Sequence, residues 1–80
     1  MKITLLCFSH VKEAMGHDQF QVELPEDATA RHVLTHVREA TAGRLNGIPM
    51  RVAINQHYVN DDARLAHGDE VALIPPVQGG

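Results

Sequence analysis

Eighty residues, 44% hydrophobic and 21% charged, with no repeat and no low-complexity tract, describe one small globular domain. The formal net charge is −3 and the seven basic residues are scattered, so the chain lacks the basic patch that nucleic acid or an anionic membrane surface requires. No apolar run approaches the ~20 residues of a membrane span, the start carries no signal-peptide core, and Cys7, the only cysteine, can form no internal disulfide; a cytoplasmic protein is expected.

Lys2 to Phe8 is apolar and reads as a strand. Ser9 to Asp18 is polar, contains Gly16, and reads as a loop or a short helical turn. Gln19 to Leu24 alternates strictly, with Phe20, Val22 and Leu24 on one face, as a half-buried strand does. Pro25-Glu26-Asp27 ends it. Thr29 is a candidate N-cap, followed by Ala30, Val33, Leu34, Val37 and Thr41 at helical spacing, with a stop at Gly43. Arg51 to Asn55 reads as a strand with Val52 and Ile54 inward. Tyr58-Val59 is a very short strand after a turn at Gln56-His57, Leu65 to Asp69 a tight turn, and Glu70 to Ile74 the last strand.

The order is strand, strand, helix, strand, short strand, strand. A single helix after a hairpin must lie on one face of a mixed sheet to bury its stripe. The expectation is an α+β, β-grasp (ubiquitin-like) domain over residues 1–74, with four to five strands and one main helix on one face. The first and last strands, the most apolar, run parallel at its centre. Phe8, Phe20 and Tyr58 are the whole aromatic inventory, so the core is aliphatic.

Strand alternation carries a functional implication. If Ile3, Leu5, Cys7, Val71 and Leu73 face the helix, then Leu6, Phe8, Ala72 and Ile74 face away from it, joined by Tyr58. One helix leaves nothing in this chain to cover that second face. An uncovered apolar patch on a small protein marks a partner interface; the alternative is scattered surface hydrophobes.

Pro75-Pro76-Val77-Gln78-Gly79-Gly80 follows the last strand. Two prolines forbid a helix and cannot donate to a central ladder, and two glycines remove side chains from the end, so residues 75–80 are expected to form a flexible tail. A free α-carboxylate is ionised at neutral pH and is a poor electrophile until activated, for example as an acyl-adenylate. A side-chain-free end can enter a narrow channel, and six extended residues reach about 19 Å. The alternative is a plain flexible end.

No other constellation carries chemistry. His32 and His36 are spaced i, i+4 but lie off the apolar stripe without a third ligand, so no metal site is expected. His10, His17, His57 and His67 read as surface loop residues. Cys7 sits on the inward face of a strand, where a thiol is buried and inert. Glu26-Asp27 and Asp61-Asp62 suit turns, and no glycine pattern forms a phosphate loop.

The segment Gly68-Asp69-Glu70-Val71-Ala72-Leu73-Ile74-Pro75-Pro76-Val77-Gln78-Gly79-Gly80 closely resembles the end of molybdopterin synthase small subunits, in the sulfur-carrier family that also includes the thiamine-thiazole carriers. Val11-Lys12-Glu13-x-x-Gly16, the helix opening at Thr29, and Asn55-Gln56 are similar to that family too, so the resemblance spans the whole chain. It implies that Gly80 is adenylated by an ATP-dependent activating enzyme related to ubiquitin activators and then carries sulfur covalently as a thiocarboxylate, with no cofactor bound by the chain itself. It implies docking on the large synthase subunit, commonly in a heterotetramer, with Pro75, Pro76, Val77, Gln78 and Gly79 inserted into that subunit's active site. There sulfur passes to cyclic pyranopterin monophosphate, two charged carriers per dithiolene. The family's contact positions correspond to Phe8, Tyr58 and Ile74. Aromatics common in the family are absent at Cys7, Leu73 and Ile74, and the six histidines have no counterpart in its pattern. A carrier for another pathway such as thiazole synthesis, a ubiquitin-like modifier of protein lysines, and a plain binding module are the alternatives.

Overall fold

Seven elements follow one another in the computed structural model, which describes residues 1–75: β1 (Lys2–Cys7), α1 (Ser9–Met15), β2 (Gln19–Glu23), α2 (Ala30–Ala40), β3 (Arg51–Ile54), β4 (His57–Val59) and β5 (Glu70–Ile74). The strands form one mixed sheet in the order β2-β1-β5-β3-β4. β1 and β5 are parallel, with Leu5 beside Val71 and Cys7 beside Leu73; the other pairs are antiparallel. This is the expected β-grasp arrangement.

The inward residues of the sheet are those that alternation assigns. Ile3, Leu5 and Cys7 of β1, Val22 of β2, Val52 of β3, and Val71 and Leu73 of β5 are buried in one cluster with Ala30, Val33 and Val37 of α2. Val11 of α1 and three loop residues, Ala28, Leu45 and Leu65, complete it. The Leu65 N–H donates to the Ala28 carbonyl at 3.0 Å, and Thr29 bridges Arg64, so the segment before β5 is fastened to the start of α2.

α2 starts where its capping chemistry places it. Thr29 is extended, and its N–H donates to Nδ1 of His32, three residues on, at 3.0 Å. This is a capping box with an imidazole in the place usually held by a glutamate or glutamine. At the other end the Thr41 hydroxyl donates back to the Val37 carbonyl at 2.9 Å, which lets this polar side chain be buried. Arg38 then donates to the carbonyls of Leu45 and Ile48, at 3.0 and 3.1 Å, folding the following loop back so that Leu45 enters the core.

The stretch read as a loop or a short helical turn is a helix of seven residues, so two helices cover the inner face rather than one main helix alone. Val11 is fully buried in the core, with Ala14 and Met15 packed against it. Three apolar residues within two turns are too few to establish a period, which is why the sequence pattern does not separate this helix from a loop. Gly16 ends it in the left-handed conformation (φ 92°), with its N–H on the Lys12 carbonyl at 2.9 Å.

Replacing Val11 with Ala should lower stability by about 2 kcal/mol, because two methyl groups leave a site that cannot fully collapse. His32→Ala should cost about 1 kcal/mol through the lost cap. Urea denaturation of each variant measures both, and a neutral Val11→Ala would show that α1 is peripheral.

Candidate functional site

On the face of the sheet opposite the helices, side chains fall into rows set by register. Thr4 lies between Gln21 and Glu70, and Gln21 donates to the Thr4 hydroxyl at 3.0 Å. The next row runs Gln19, Leu6, Ala72, Ala53, Tyr58 across all five strands. The last pairs Ile74 with Arg51. Phe8, one residue past β1, closes this end as the N-cap residue of α1.

Two alanines side by side at the centre of the second row, flanked by larger groups, make a concave surface. Leu6, Phe8, Ala53, Gln56, Tyr58, Glu70, Ala72 and Ile74 line a depression of about 320 Å³. The five residues expected to share a face, Leu6, Phe8, Tyr58, Ala72 and Ile74, are therefore brought together. Phe8 is 46% and Tyr58 54% exposed, the two exposed large apolar side chains among the described residues; Leu6, Ala72 and Ile74 are half-buried. Ala53, only 5% exposed, forms the floor of the depression. Ala53 is not among the residues expected on this face, although its place between inward Val52 and Ile54 contains the signal.

The rim at Gln56 is a two-residue hairpin turn. Asn55 and Gln56 both have positive φ, 49° and 72°, the twist-matched turn that joins β3 to β4. Asn55 also holds the turn against β5: its Nδ2 donates to Asp69 at 3.0 Å, its Oδ1 accepts the Glu70 N–H at 3.0 Å, and its own N–H donates to the Glu70 carbonyl at 2.8 Å. These three bonds tie the turn after β3 to the start of β5.

Pro75, placed with the tail by sequence, is buried at the end of β5. Pro76, Val77, Gln78, Gly79 and Gly80 lie outside the described residues.

The remaining candidates have local roles. Among the described residues no group of three or more His, Cys, Asp or Glu is placed to hold a metal ion. Instead, Nδ1 of His32 caps α2, Nδ1 of His67 accepts the Lys2 N–H at 3.0 Å, Nδ1 of His57 lies 3.0 Å from the Asn55 carbonyl, and His17 meets the Phe20 ring edge-on. Cys7 is buried, and burial pushes its thiol above the ordinary value of 9.0, with the Asp18 carboxylate acting in the same direction. It is held as a neutral thiol, the unreactive form.

Among known proteins, the model of the ThiS family matches residues 5–80. The molybdopterin synthase sulfur carrier subunit of Escherichia coli is 35% identical over 80 residues, covering 98% of this chain and 99% of that one. Its counterpart in Dictyostelium discoideum is 33% identical over 82 residues, covering 95% and 93%. The structure of SAMP1, a small archaeal modifier protein from Haloferax volcanii, superposes with a TM-score of 0.83 at 26% identity, each chain covered completely.

Phe8→Ala and Tyr58→Ala should each change unfolding free energy by less than about 1 kcal/mol, since both side chains are half in solvent. Gln56→Gly should stabilise by up to about 1 kcal/mol by relieving left-handed strain. Thermal melts test all three. A raised thiol value means that the folded state holds its proton more tightly than the unfolded state. The resulting stability is complete below the ordinary thiol value and is lost as pH rises from there through the raised value of the folded state. Between about pH 8 and 10 the wild type should therefore lose more stability than Cys7→Ala, read by urea denaturation at each pH.

Proposed function

The chain belongs to the ThiS family, and from that premise we propose that it is the sulfur carrier subunit of a molybdopterin synthase. The observation that carries the reading is the concave apolar face centred on Ala53 and Ala72, which ends at Ile74 where the chain turns into the segment from Pro75 to Gly80. Two full-length relatives bearing that name, at 35% and 33% identity, support it.

In this reading the Gly80 carboxylate attacks the α-phosphorus of ATP on an activating enzyme, and pyrophosphate leaves. A sulfide-level nucleophile then adds to the acyl-adenylate carbonyl and expels AMP, giving a thiocarboxylate. The charged carrier docks by the face of Leu6, Phe8, Tyr58, Ala72 and Ile74 on the large synthase subunit, in a heterotetramer. Docking aims Pro76 to Gly80 into the catalytic site of that subunit, where sulfur passes to the cyclic pyranopterin precursor and water restores the carboxylate. The fold supplies position; the catalytic groups belong to the partners. Apolar burial at the face provides affinity, and the Asn55 clasp keeps β5 from yielding as the tail is drawn in.

The test is reconstitution with activating enzyme, ATP and sulfide, followed by large subunit and precursor. Intact mass should show one oxygen exchanged for sulfur, and dithiolene product should appear. Removing Gly79-Gly80 should abolish both while leaving large-subunit binding within about threefold, a difference of under 1 kcal/mol. Product formation by the shortened chain would overturn the reading. The likeness to SAMP1 favours one second reading, a protein modifier; ladders of lysine conjugates without dithiolene product would establish it.

A further inference from the structure

Arg51 does not line the apolar depression, yet it is held in a defined place beside it. It stands directly across from Ile74, at the end of the sheet where the tail departs. Its guanidinium carbon lies 4.2 Å from the centroid of the Tyr58 ring. Tyr58 pairs with Ala53, two residues along β3 from Arg51, so the stack joins diagonal neighbours across the hairpin.

The consequence is a cation with restricted freedom. At 4.2 Å the cation–π attraction restrains the guanidinium over the ring, and a guanidinium that uses its face for an aromatic contact keeps its in-plane N–H donors available. Of the other arginines, Arg31 is on Asp62 at 2.8 Å and Arg38 on two loop carbonyls, while Arg44 and Arg64 lie away from the outer-face rows. Among the described residues Arg51 has neither an ion-pair nor a hydrogen-bond partner for its side chain. A planar fork of donors fixed beside an apolar surface suits a planar acceptor of two oxygens.

The charges of the outer-face strand rows differ along the strands. Among the described residues Lys2, Glu23 and Glu70 lie toward the end remote from Ile74 and Arg51 at the end of Ile74, with Lys12 and Asp18 in the neighbouring hollow beside Leu6 and Phe8. One guanidinium at this end of a chain of net charge −3 suits one carboxylate, whereas a polyanion would meet repulsion from the acidic remainder.

We propose that Arg51, clamped on Tyr58, is a specificity-determining residue of the docking face, and that it receives an aspartate or glutamate side chain of the large synthase subunit. This rests on the function proposed above. The apolar depression supplies contact area that tolerates rotation, and a fork bound to one carboxylate beside the tail's root fixes the angle at which the carrier sits.

The experiment is calorimetric titration of the full chain with the cognate large subunit at low and raised salt. Arg51→Gln should weaken binding about tenfold at low salt and flatten the salt dependence. Arg51→Lys should fail to restore it, since an ammonium lacks the fork. In a double-mutant cycle with Tyr58→Leu, which keeps an apolar group but removes the ring, the two losses should be non-additive because the stack orients the donors. Full rescue by lysine or strict additivity would overturn the clamp. Ile74→Asp and Phe8→Ala serve as controls for the face. If these weaken binding while Arg51→Gln binds like the wild type at both salts, the inference fails and the docking reading stands. If the wild type does not bind, both fall.

Discussion

The parallel pairing of β1 with β5 is the constraint from which the rest of the molecule follows. It places Ile3, Leu5, Cys7, Val71 and Leu73 side by side under the two helices, where all five are buried. Because successive side chains in a strand point to opposite faces, the same pairing turns Leu6, Ala72 and Ile74 outward. A central pair of strands apolar on both faces is ordinary in a three-layer protein. Among the described residues this chain supplies a layer on one side only, so the stabilising core and the apolar outer face are two results of one arrangement. Neither can be changed by slipping the register, since a shift by one residue would exchange the faces.

The shape of the outer face depends on side-chain size as much as on hydrophobicity. Ala53 and Ala72 are paired neighbours at the middle of the sheet, and the larger residues stand around them. Larger residues at these two positions would give a flat or convex surface of greater apolar area and less shape. The depression can accept a protruding group, and the Arg51–Tyr58 stack beside it adds the direction that apolar contact lacks.

The parts legible in the sequence are those with periodic signals. Alternation in β1 and β5 and the stripe of α2 suffice for the sheet faces, the helix and the position of the patch. The parts that were not legible depend on single residues brought in from irregular segments. Ala28, Leu45 and Leu65 each contribute one side chain to the core from a loop, and α1 contributes chiefly Val11. The histidines were opaque for a related reason. His32 sits at a helix start and His67 in a turn, and each accepts a backbone N–H through Nδ1, a role that depends on local geometry and leaves no spacing to read. Arg51 looked like one more scattered cation; only the β3–β4 register brings it over the ring of Tyr58.

The position of β5 within the sheet also bears on how the protein comes into being. β5 lies between β1 and β3, so without it the sheet is two separate hairpins, β2-β1 and β3-β4. Hairpins of this size are marginal by themselves. During synthesis the sheet therefore cannot close until residues 70–74 are made. Whatever follows Ile74 is presented on a strand whose insertion completes the fold. A polypeptide interrupted earlier has no closed core, so the segment made last among the strands is also the one on which the continuity of the sheet depends.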